Sequence, residues 1–365
     1  MSKKKVFANY LPGFHTDEYN NKWWGKDFTE WENVKKCSPL FIEHNQPKIP
    51  KLGYLDLSKY DDLKKQVQLA NLYDITGFFI YNYWYDGVQI LNKPIDIILE
   101  NKELEIEFAI CWANHDWTRS WTNRAGALDT LICQKYDIND NCYKHAKYLA
   151  SFFSDIRYLT INERPVLQVY DLCKNSESYL IELKNILLNE FDFDVYLIQT
   201  LRSKSEIKSS LANAFVYFQP SFSLKRDVNL IDSLIKLTNI MPTFVKKYLY
   251  RLYDLMPDAP TSLDYNSICE NIIDEYRSPV SNSILSMFVD FDNTPRYKNR
   301  ARYFRNFSLE KFSQTLESFF KLRSLDNIYI INAWNEWGEG MFLEPDEQFG
   351  SKKLEIVKNA IHKNI

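Results

Sequence analysis

The chain has 365 residues, of which 45% are hydrophobic and 25% charged, and its formal net charge is −3 at pH 7. This balance argues against nucleic acid or an anionic membrane surface as the main partner. No run of about 18 apolar residues occurs, so no membrane span is expected. The N-terminus turns polar too early for a signal peptide, and the six cysteines form no CxxC motif. We therefore expect a cytoplasmic protein with free thiols and with no metal or other cofactor.

Short β-branched or aromatic runs alternate with amphipathic runs along the chain. The first kind predicts eight strands, in order Val6–Pro12, Gly77–Trp84, Ile106–Asn114, Val166–Asp171, Val195–Leu201, Phe215–Pro220, Ile284–Asp290 and Ile328–Trp334. Apolar residues at helical spacing predict helices over Tyr60–Tyr73 and Glu177–Phe191. Ser308 is the predicted N-cap of a further helix before the last strand.

Eight alternating strand–helix units predict a parallel sheet that closes into a (β/α)8 TIM barrel. An open doubly wound sheet also alternates, but it normally has a glycine-rich first turn, which residues 10–15 lack. We expect residues 1–365 to form a single catalytic domain. It has a long first βα loop and, at about residues 227–276, an insertion of two or three helices without a strand.

The nine tryptophans fall in two windows, residues 23–121 and 334–337, and the middle of the chain also lacks glycine. If strand eight closes against strand one, the loops after strands eight, one, two and three become neighbours on the face where such barrels carry their active sites. The two windows then form one arc of aromatic surface that can stack on sugar rings. The alternative is that these large side chains pack the loops onto the barrel.

Two glutamates, Glu336 and Glu339, follow the last predicted strand among tryptophans and glycines. In a turn, this spacing brings two carboxylates close enough to divide acid and base work. Close carboxylates also push their pKa values apart, so that one stays protonated near neutral pH. The pair is therefore the predicted catalytic centre. Alternatively, the glutamates bind backbone amides or an arginine.

Polar residues among aromatic residues follow other strands and offer hydrogen bonds to sugar hydroxyls. After strand seven, Asp290-x-Asp292 resembles the metal and nucleotide-sugar motif of one glycosyltransferase fold, whereas Asn293 and Arg296 more simply orient hydroxyls or support the glutamates. A lone histidine such as His115 is more often structural than catalytic. The predicted substrate-binding residues are Tyr10, His15, Trp23, Trp24, Glu30, Trp31, Tyr83, Trp112, Asn114, His115, Asp116, Trp117, Arg119, Asp292, Asn293, Arg296, Trp334, Asn335 and Trp337.

Five of these segments together resemble the WbsX-type family, whose members occur with bacterial O-antigen and capsule genes and are commonly labelled glycosyltransferases. They are Tyr10–His15, Trp23–Trp31, Trp112–Arg119, Asp292–Arg296 and Trp334–Gly340. The resemblance covers nearly the whole chain, from Tyr10 to about Asp346, in the right order. The family is similar, more distantly, to glycoside hydrolase family 99, the endo-α-mannosidases, which are (β/α)8 barrels.

The resemblance to these hydrolases implies a retaining mechanism in which Glu336 and Glu339 match the catalytic pair. Glu336 would take the proton from the sugar 2-hydroxyl, which attacks the anomeric carbon to form an epoxide-like intermediate. Glu339 would protonate the leaving oxygen and then act as base for water. No metal is implied. His115 departs from the family, which more often has Glu at that position.

Three functions stay open. A glycoside hydrolase or transglycosylase acting on α-linked polysaccharide is favoured by the carboxylate pair and by the absence of a phosphate-binding loop. A glycosyltransferase of O-antigen or capsule biosynthesis is favoured by the family label and by Asp290-x-Asp292. The third is a catalytically dead, glycan-binding barrel. In each case the expected partner is an oligo- or polysaccharide of bacterial surface-polysaccharide metabolism, and contact with other polysaccharide-assembly enzymes stays open.

Overall fold

A closed barrel of eight parallel strands organises the computed structural model, which describes residues 3–119, 128–138, 140–224, 241–253, 255 and 258–363. The strands are β1 Lys5–Tyr10, β2 Gly77–Tyr85, β3 Glu107–Trp112, β4 Arg164–Val169, β5 Tyr196–Leu201, β6 Ala214–Tyr217, β7 Ser283–Phe288 and β8 Ile328–Asn332. Each pairs in parallel with the next, and β1 pairs with both β2 and β8, which closes the sheet. The predicted (β/α)8 barrel is confirmed, and each predicted strand overlaps an observed one.

Helices lie between most of the barrel strands and surround the barrel. Those within the described residues are α1 Glu18–Trp24, α2 Trp31–Lys35, α3 Tyr60–Leu72, α4 Lys93–Glu100, α5 Asp140–Phe153, α6 Lys174–Phe191, α7 Thr243–Tyr253, α8 Tyr265–Glu275, α9 Thr294–Tyr297, α10 Leu309–Phe319 and α11 Lys352–Lys363. The first two belong to the long loop after β1. Nowhere in the described ranges is a helix both long and apolar enough to cross a membrane.

The strand sequences are hydrophobic on both faces because one face fills the barrel and the other meets the helices. In β2, the consecutive residues Phe78, Phe79 and Ile80 are all fully buried. The strand begins at Gly77, where a Cβ atom would lie only 2.2 Å from the carbonyl oxygen of Glu107. Glycine therefore permits the close contact between β2 and β3 at this end of the barrel.

The predicted helix start at Ser308 is confirmed. Its hydroxyl accepts a hydrogen bond from the backbone N–H of Lys311 at 3.1 Å, which satisfies one free donor of the first turn of α10. The helix then buries Phe312, Leu316 and Phe319 against the barrel. The cap and the apolar face thus fix the start and the orientation of the last helix before β8.

The segment predicted as a helical insertion falls partly outside the described residues, namely at 227–240, 254, 256 and 257. Its described part contains α7 and α8, and it also contains a short strand, Thr261–Asp264, paired in parallel with Arg302–Arg305. The expectation of a segment without a strand is therefore wrong. The strand is four residues long and mostly exposed, so no apolar pattern marked it.

Replacing Ser308 with Ala removes the hydroxyl cap of α10 while leaving the helix sequence intact. We expect the free energy of unfolding in urea to fall by about 1 kcal/mol. Ser308→Asp supplies another capping oxygen and is the matched control, with stability close to that of the unmodified protein. Equal losses in the two variants would contradict the capping role.

Candidate active site

The predicted glutamate pair lies in a tight turn directly after β8. Residues 335–336 and 341–342 pair as a small antiparallel ribbon, and a single 3-10 turn, Trp337–Glu339, joins them. Gly340 ends this turn in the left-handed conformation, with φ of +64°, and a Cβ there would lie 2.9 Å from the backbone nitrogen of Asp292. The predicted tight turn is present, and it directs both glutamates to the carboxyl end of the barrel.

One guanidinium group binds both glutamates. Arg296, on α9, donates from Nη1 to Glu339 Oε1 at 2.7 Å and from Nη2 to Glu336 Oε2 at 3.2 Å. Because the two nitrogens belong to one rigid fork, the nearest oxygens of the two carboxylates lie within roughly 8 Å of each other, a separation that glycoside hydrolases use. The sequence allowed either a pair of neighbouring carboxylates or a contact between the glutamates and an arginine. In the structure the glutamates form both.

A third carboxylate completes this group. Glu30, immediately before α2, accepts a hydrogen bond from Arg296 Nη2 at 3.3 Å and is only 4% exposed. Gly338 permits the packing, because a Cβ there would lie 2.8 Å from Arg296 Nε and 3.0 Å from Glu30 Oε2. We call Glu30, Arg296, Glu336 and Glu339 the carboxylate–arginine cluster.

The charge balance of this cluster raises the proton affinity of its buried members. Burial raises the pKa of Glu336 to about 8, with further increases from Glu339 and Glu30, while Arg296 opposes the shift. Burial also raises the pKa of Glu30, again against the effect of Arg296. A single positive charge cannot offset the three negative charges around it, so the cluster retains a proton near neutral pH.

A cavity of about 270 Å³ opens beside the cluster, and we call it the glutamate cavity. Its lining residues are Leu11, Gly13, Asn20, Glu30, Tyr83, Leu91, His115, Asp116, Trp117, Thr118, Arg296 and Glu336. Glu336 is at its wall with its side chain 12% exposed, whereas Glu339 is 27% exposed, binds the cavity-lining Arg296 and is not itself among the lining residues. The loops that follow β1, β2, β3 and β8 thus lie around the glutamate cavity, as the distribution of tryptophans predicted.

Aromatic side chains form one side of this cavity. Trp117 packs edge-on against Tyr83, with ring centroids 4.9 Å apart, and lies 5.7 Å from Trp23. All three are half-buried and retain accessible surface. We call these three residues the aromatic wall. Nearby, the guanidinium of Arg119 lies 5.5 Å from the ring centre of Trp24, so these two predicted residues interact with each other.

Four other predicted stacking residues are interior packing residues. They are Trp31, Trp112, Trp334 and Trp337, and none exposes more than 5% of its surface. Trp31 donates its indole N–H to the Leu55 carbonyl at 2.7 Å, and Trp337 donates to Glu344 at 2.6 Å. A side chain without an accessible face cannot stack on a sugar, so the stacking expectation is wrong for these four. Trp121 lies outside the described residues.

Two predicted asparagines bind backbone rather than substrate. Asn335 accepts from the N–H of Leu11 at 2.8 Å and donates to its carbonyl at 2.9 Å. Asn114 makes the same pair of bonds with Asp171, each at 2.7 Å. Both are buried and absent from the cavity lining. Each side-chain amide therefore joins the ends of two neighbouring strands, which corrects the expectation of a sugar contact.

Tyr10 and His15 are also enclosed by protein and do not line the glutamate cavity. The Tyr10 hydroxyl donates to Gln66 Oε1 at 2.6 Å, and His15 Nδ1 lies 2.9 Å from the Thr16 carbonyl oxygen. Tyr10 is the last residue of β1 and binds α3, and His15 lies in the first loop, so both support the start of that loop. The expectation of direct substrate contact is corrected for these two residues.

The predicted Asp-x-Asp motif supports the site without forming a metal centre. Asp292 accepts hydrogen bonds from His44 at 2.9 Å and from Gln46 at 2.6 Å, and its own N–H donates to the Glu339 carbonyl at 2.7 Å. Burial would raise its pKa, but these partners and Lys48 hold it at about 2. Within the described residues, no group of His, Cys, Asp and Glu side chains could hold a metal ion.

The neighbouring Asn293 is turned away from the cavity. Its Oδ1 accepts from the N–H of Arg302 at 2.7 Å, which ties the start of α9 to the following segment. Asp292 and Asn293 therefore position Arg296 and Glu339, and neither lines the glutamate cavity. This corrects the prediction that these two residues bind sugar hydroxyls beside the glutamates.

His115 and Asp116, after β3, do line the cavity. Desolvation lowers the pKa of His115, and the nearby Arg202 lowers it further. Asp116 Oδ1 accepts from the N–H of Gln134 at 2.7 Å, which anchors this loop. The pair offers both donors and acceptors opposite the cluster.

Sequence reasoning missed Asn20, which lies on α1 and faces the cavity. It is 3% exposed, and its Oδ1 atom has no hydrogen-bond partner in the structure. A buried acceptor of this kind is costly unless a ligand or water donates to it. The only sequence signal was its position one helical turn before Trp23 and Trp24, within a segment treated as a loop.

Comparisons with known proteins identify the family. The family model described as "Glycosyltransferase WbsX" matches residues 6–357. The chain therefore belongs to the WbsX glycosyltransferase family, a family of carbohydrate-active enzymes. It is also 29% identical over 367 aligned residues to a protein described as uncharacterized protein WxcX in two strains of Xanthomonas campestris pv. campestris. The match covers 98% of this chain, which spans about half the length of these curated relatives.

Solved structures show the same fold at low sequence identity. A GH99 endo-α-mannosidase from Bacteroides thetaiotaomicron is similar with a TM-score of 0.56 and 12% identity, covering 100% of this chain and 98% of that one. A glycoside hydrolase-like protein gives a TM-score of 0.60 with 10% identity and coverages of 99% and 94%. The expected relation to the GH99 barrel fold is thus confirmed.

Gly338→Ala tests the close packing of the carboxylate–arginine cluster. The added Cβ would contact Arg296 and Glu30, so we expect a loss of about 1–3 kcal/mol in the free energy of unfolding. Gly13→Ala is the matched control, because its Cβ would meet Glu30 Cγ at an ordinary 3.4 Å. Urea unfolding of both variants measures the difference. Equal stability of the two would contradict the packing constraint.

Proposed function

We propose that this protein is a retaining glycoside hydrolase or transglycosylase that acts on α-linked saccharides of bacterial surface-polysaccharide metabolism. The observation that carries the proposal is the binding of Glu336 and Glu339 to one guanidinium at the wall of a cavity. This arrangement provides two carboxylates at a separation suited to glycoside chemistry. Membership of the WbsX family and the GH99-like barrel support a saccharide substrate.

The glutamate cavity suits one sugar ring. Its volume of about 270 Å³ lies just below the range of about 300–1,000 Å³ that is usual for drug-sized ligands. The aromatic wall supplies flat apolar surface on one side, while Asn20, His115 and Asp116 supply hydrogen-bonding groups. The unpartnered Oδ1 of Asn20 would accept from a sugar hydroxyl, which removes the cost of burying it alone.

In the proposed reaction, Glu336 takes the proton of the sugar 2-hydroxyl as the 2-oxygen attacks the anomeric carbon. The glycosidic carbon–oxygen bond breaks, and Glu339 donates its proton to the departing oxygen. Glu339 then takes a proton from water, the water oxygen attacks the anomeric carbon, and the epoxide-like ring opens with return of the proton from Glu336. A pKa of about 8 makes ionised Glu336 a stronger base than an ordinary carboxylate.

Glycosyl transfer is the second candidate function, and the description of the matching family model favours it. A saccharide hydroxyl in place of water in the second step would give transglycosylation from the same intermediate. A nucleotide-sugar-dependent transferase would instead need a diphosphate site. At Asp290 and Asp292, Lys48 and His44 are already engaged by these carboxylates, at 3.3 Å and 2.9 Å.

Glu336→Gln and Glu339→Gln test the carboxylate pair. In an oligosaccharide-release assay on α-linked polysaccharides, we expect each variant to lose about 10²–10⁴-fold in rate, because it lacks a proton-transfer group. Glu347→Gln, in the exposed segment that follows, is the control with unchanged rate. A strict requirement for a nucleotide sugar would contradict hydrolysis. Saccharide binding without turnover in the unmodified protein would leave only a binding function.

The pH profile tests the assignment of Glu336 as base. Its pKa is raised to about 8, so the ionised form is scarce at pH 6 and dominant above pH 8. We expect kcat/KM to rise by up to about tenfold per pH unit between pH 6 and pH 8, as the ionised fraction of Glu336 rises. A rate that is constant up to pH 8 and falls above it would make Glu336 the acid instead. Stopped assays in overlapping buffers measure this profile.

A further inference from the structure

A second cavity, which we call the outer cavity, lies on the other side of Asp292. It has a volume of about 300 Å³ and shares no lining residue with the glutamate cavity. The end of the first loop, the segment after β7 and the residues before α11 form it. The chemistry described for the carboxylate–arginine cluster makes no use of this space.

Aromatic side chains dominate its walls. Phe41 remains 43% exposed although its ring is held in place, stacked on His44 with centroids 4.7 Å apart and an angle of 12°. The Tyr303 ring lies 5.3 Å from Phe41, and Phe307 and Phe349, 5.8 Å apart, line the cavity further along. An accessible, rigid ring at the mouth of a cavity provides a stacking surface for a flat apolar ligand face.

Most charged groups of the outer cavity have a partner within the protein. Lys48 binds Asp290 at 3.3 Å, His44 contacts Asp292 at 2.9 Å, and Arg305 lies 3.9 Å from Asp264. Glu43 also lines the cavity, so three carboxylates belong to its lining. A divalent metal would have to displace Lys48 and His44 from the aspartates, and an anion would meet these carboxylates. A neutral ligand with hydroxyl groups meets neither obstacle.

Amide groups at the mouth match a polyhydroxylated ligand. Asn45 donates to the side-chain oxygen of Gln348, and both residues line the cavity together with Asn306. Amides both donate and accept, as sugar hydroxyls do. Flat aromatic surface, exposed amides and carboxylates that disfavour an anion together suit a neutral sugar unit.

Asp292 links the outer cavity to the carboxylate–arginine cluster. Its side chain lines the outer cavity, while its backbone N–H binds the Glu339 carbonyl at 2.7 Å. Both cavities are lined by residues of the loops that follow barrel strands, so one polymeric substrate can reach both.

We propose that the outer cavity is a second saccharide-binding site, which holds a neutral sugar unit of the polysaccharide away from the reacting glutamates. This inference rests on the proposed function for its substrate class. The stacking face of Phe41 and the amides of Asn45 and Gln348 form the contact surface.

Site-resolved NMR titration tests the proposal. Glu336→Gln protein, labelled at phenylalanine rings and tryptophan indoles, is titrated with the methyl α-glycosides of mannose, glucose, galactose and rhamnose. Phe41 reports on the outer cavity and Trp117 on the glutamate cavity. We expect saturable shifts at both reporters with at least one of these glycosides.

The outcomes separate the two proposals. Shifts at Trp117 alone overturn the outer site and leave the proposed function standing, whereas shifts at Phe41 alone support the outer site and contradict the proposed function. Absence of both shifts overturns both.

A polysaccharide-binding measurement compares two matched variants, one in the outer cavity and one outside it. In affinity electrophoresis through yeast α-mannan, Phe41→Ala should weaken retention of the Glu336→Gln protein by roughly fivefold, because one aromatic stack is lost. Phe244→Ala removes another phenylalanine, which is 74% exposed on α7, and should leave retention unchanged. Equal retention of both variants would overturn the role of Phe41. Equal weakening would show a general loss of aromatic surface and would overturn it as well.

Discussion

The guanidinium of Arg296 is the charge on which the candidate site depends. It is 9% exposed and binds three carboxylates, so it offsets part of the cost of burying Glu30 and Glu336. Because Arg296 compensates only part of this cost, the pKa of Glu336 stays high and the cluster keeps a proton. The same fork geometry that supplies the charge also fixes the relative positions of the two glutamates.

Support for this arginine comes from side chains that join the loops to one another. Asp292 binds the end of the first loop through His44 and Gln46 and holds the Glu339 backbone. Asn335 and Asn114 add amide–backbone pairs beyond the ends of the barrel strands. Each of these side-chain contacts replaces a backbone hydrogen bond that the diverging strands can no longer make. The loops at the carboxyl end of the barrel therefore stay ordered where the sheet ends.

The aromatic residues illustrate both the reach and the limit of sequence reasoning. Their distribution correctly placed the loops of β8, β1, β2 and β3 around one concavity, because strand order in a barrel follows from the alternation pattern. It did not separate Trp117, which faces the cavity, from Trp112, which is buried five positions earlier. Loop residues lack a regular period, so only the packing of neighbouring loops decides which ring stays accessible.

The local pattern of the chain determined the barrel, its eight strands, the capped start of α10 and the pairing of Glu336 with Glu339, because these features depend on residues close together in sequence. Tertiary structure alone decided that Arg296 bridges the glutamates and also binds Glu30, 266 positions earlier. It also decided that Asn20 faces the glutamate cavity and that Asp290 and Asp292 bind Lys48 and His44. These contacts join distant segments, and burial sets their charge states, so no local period encodes them.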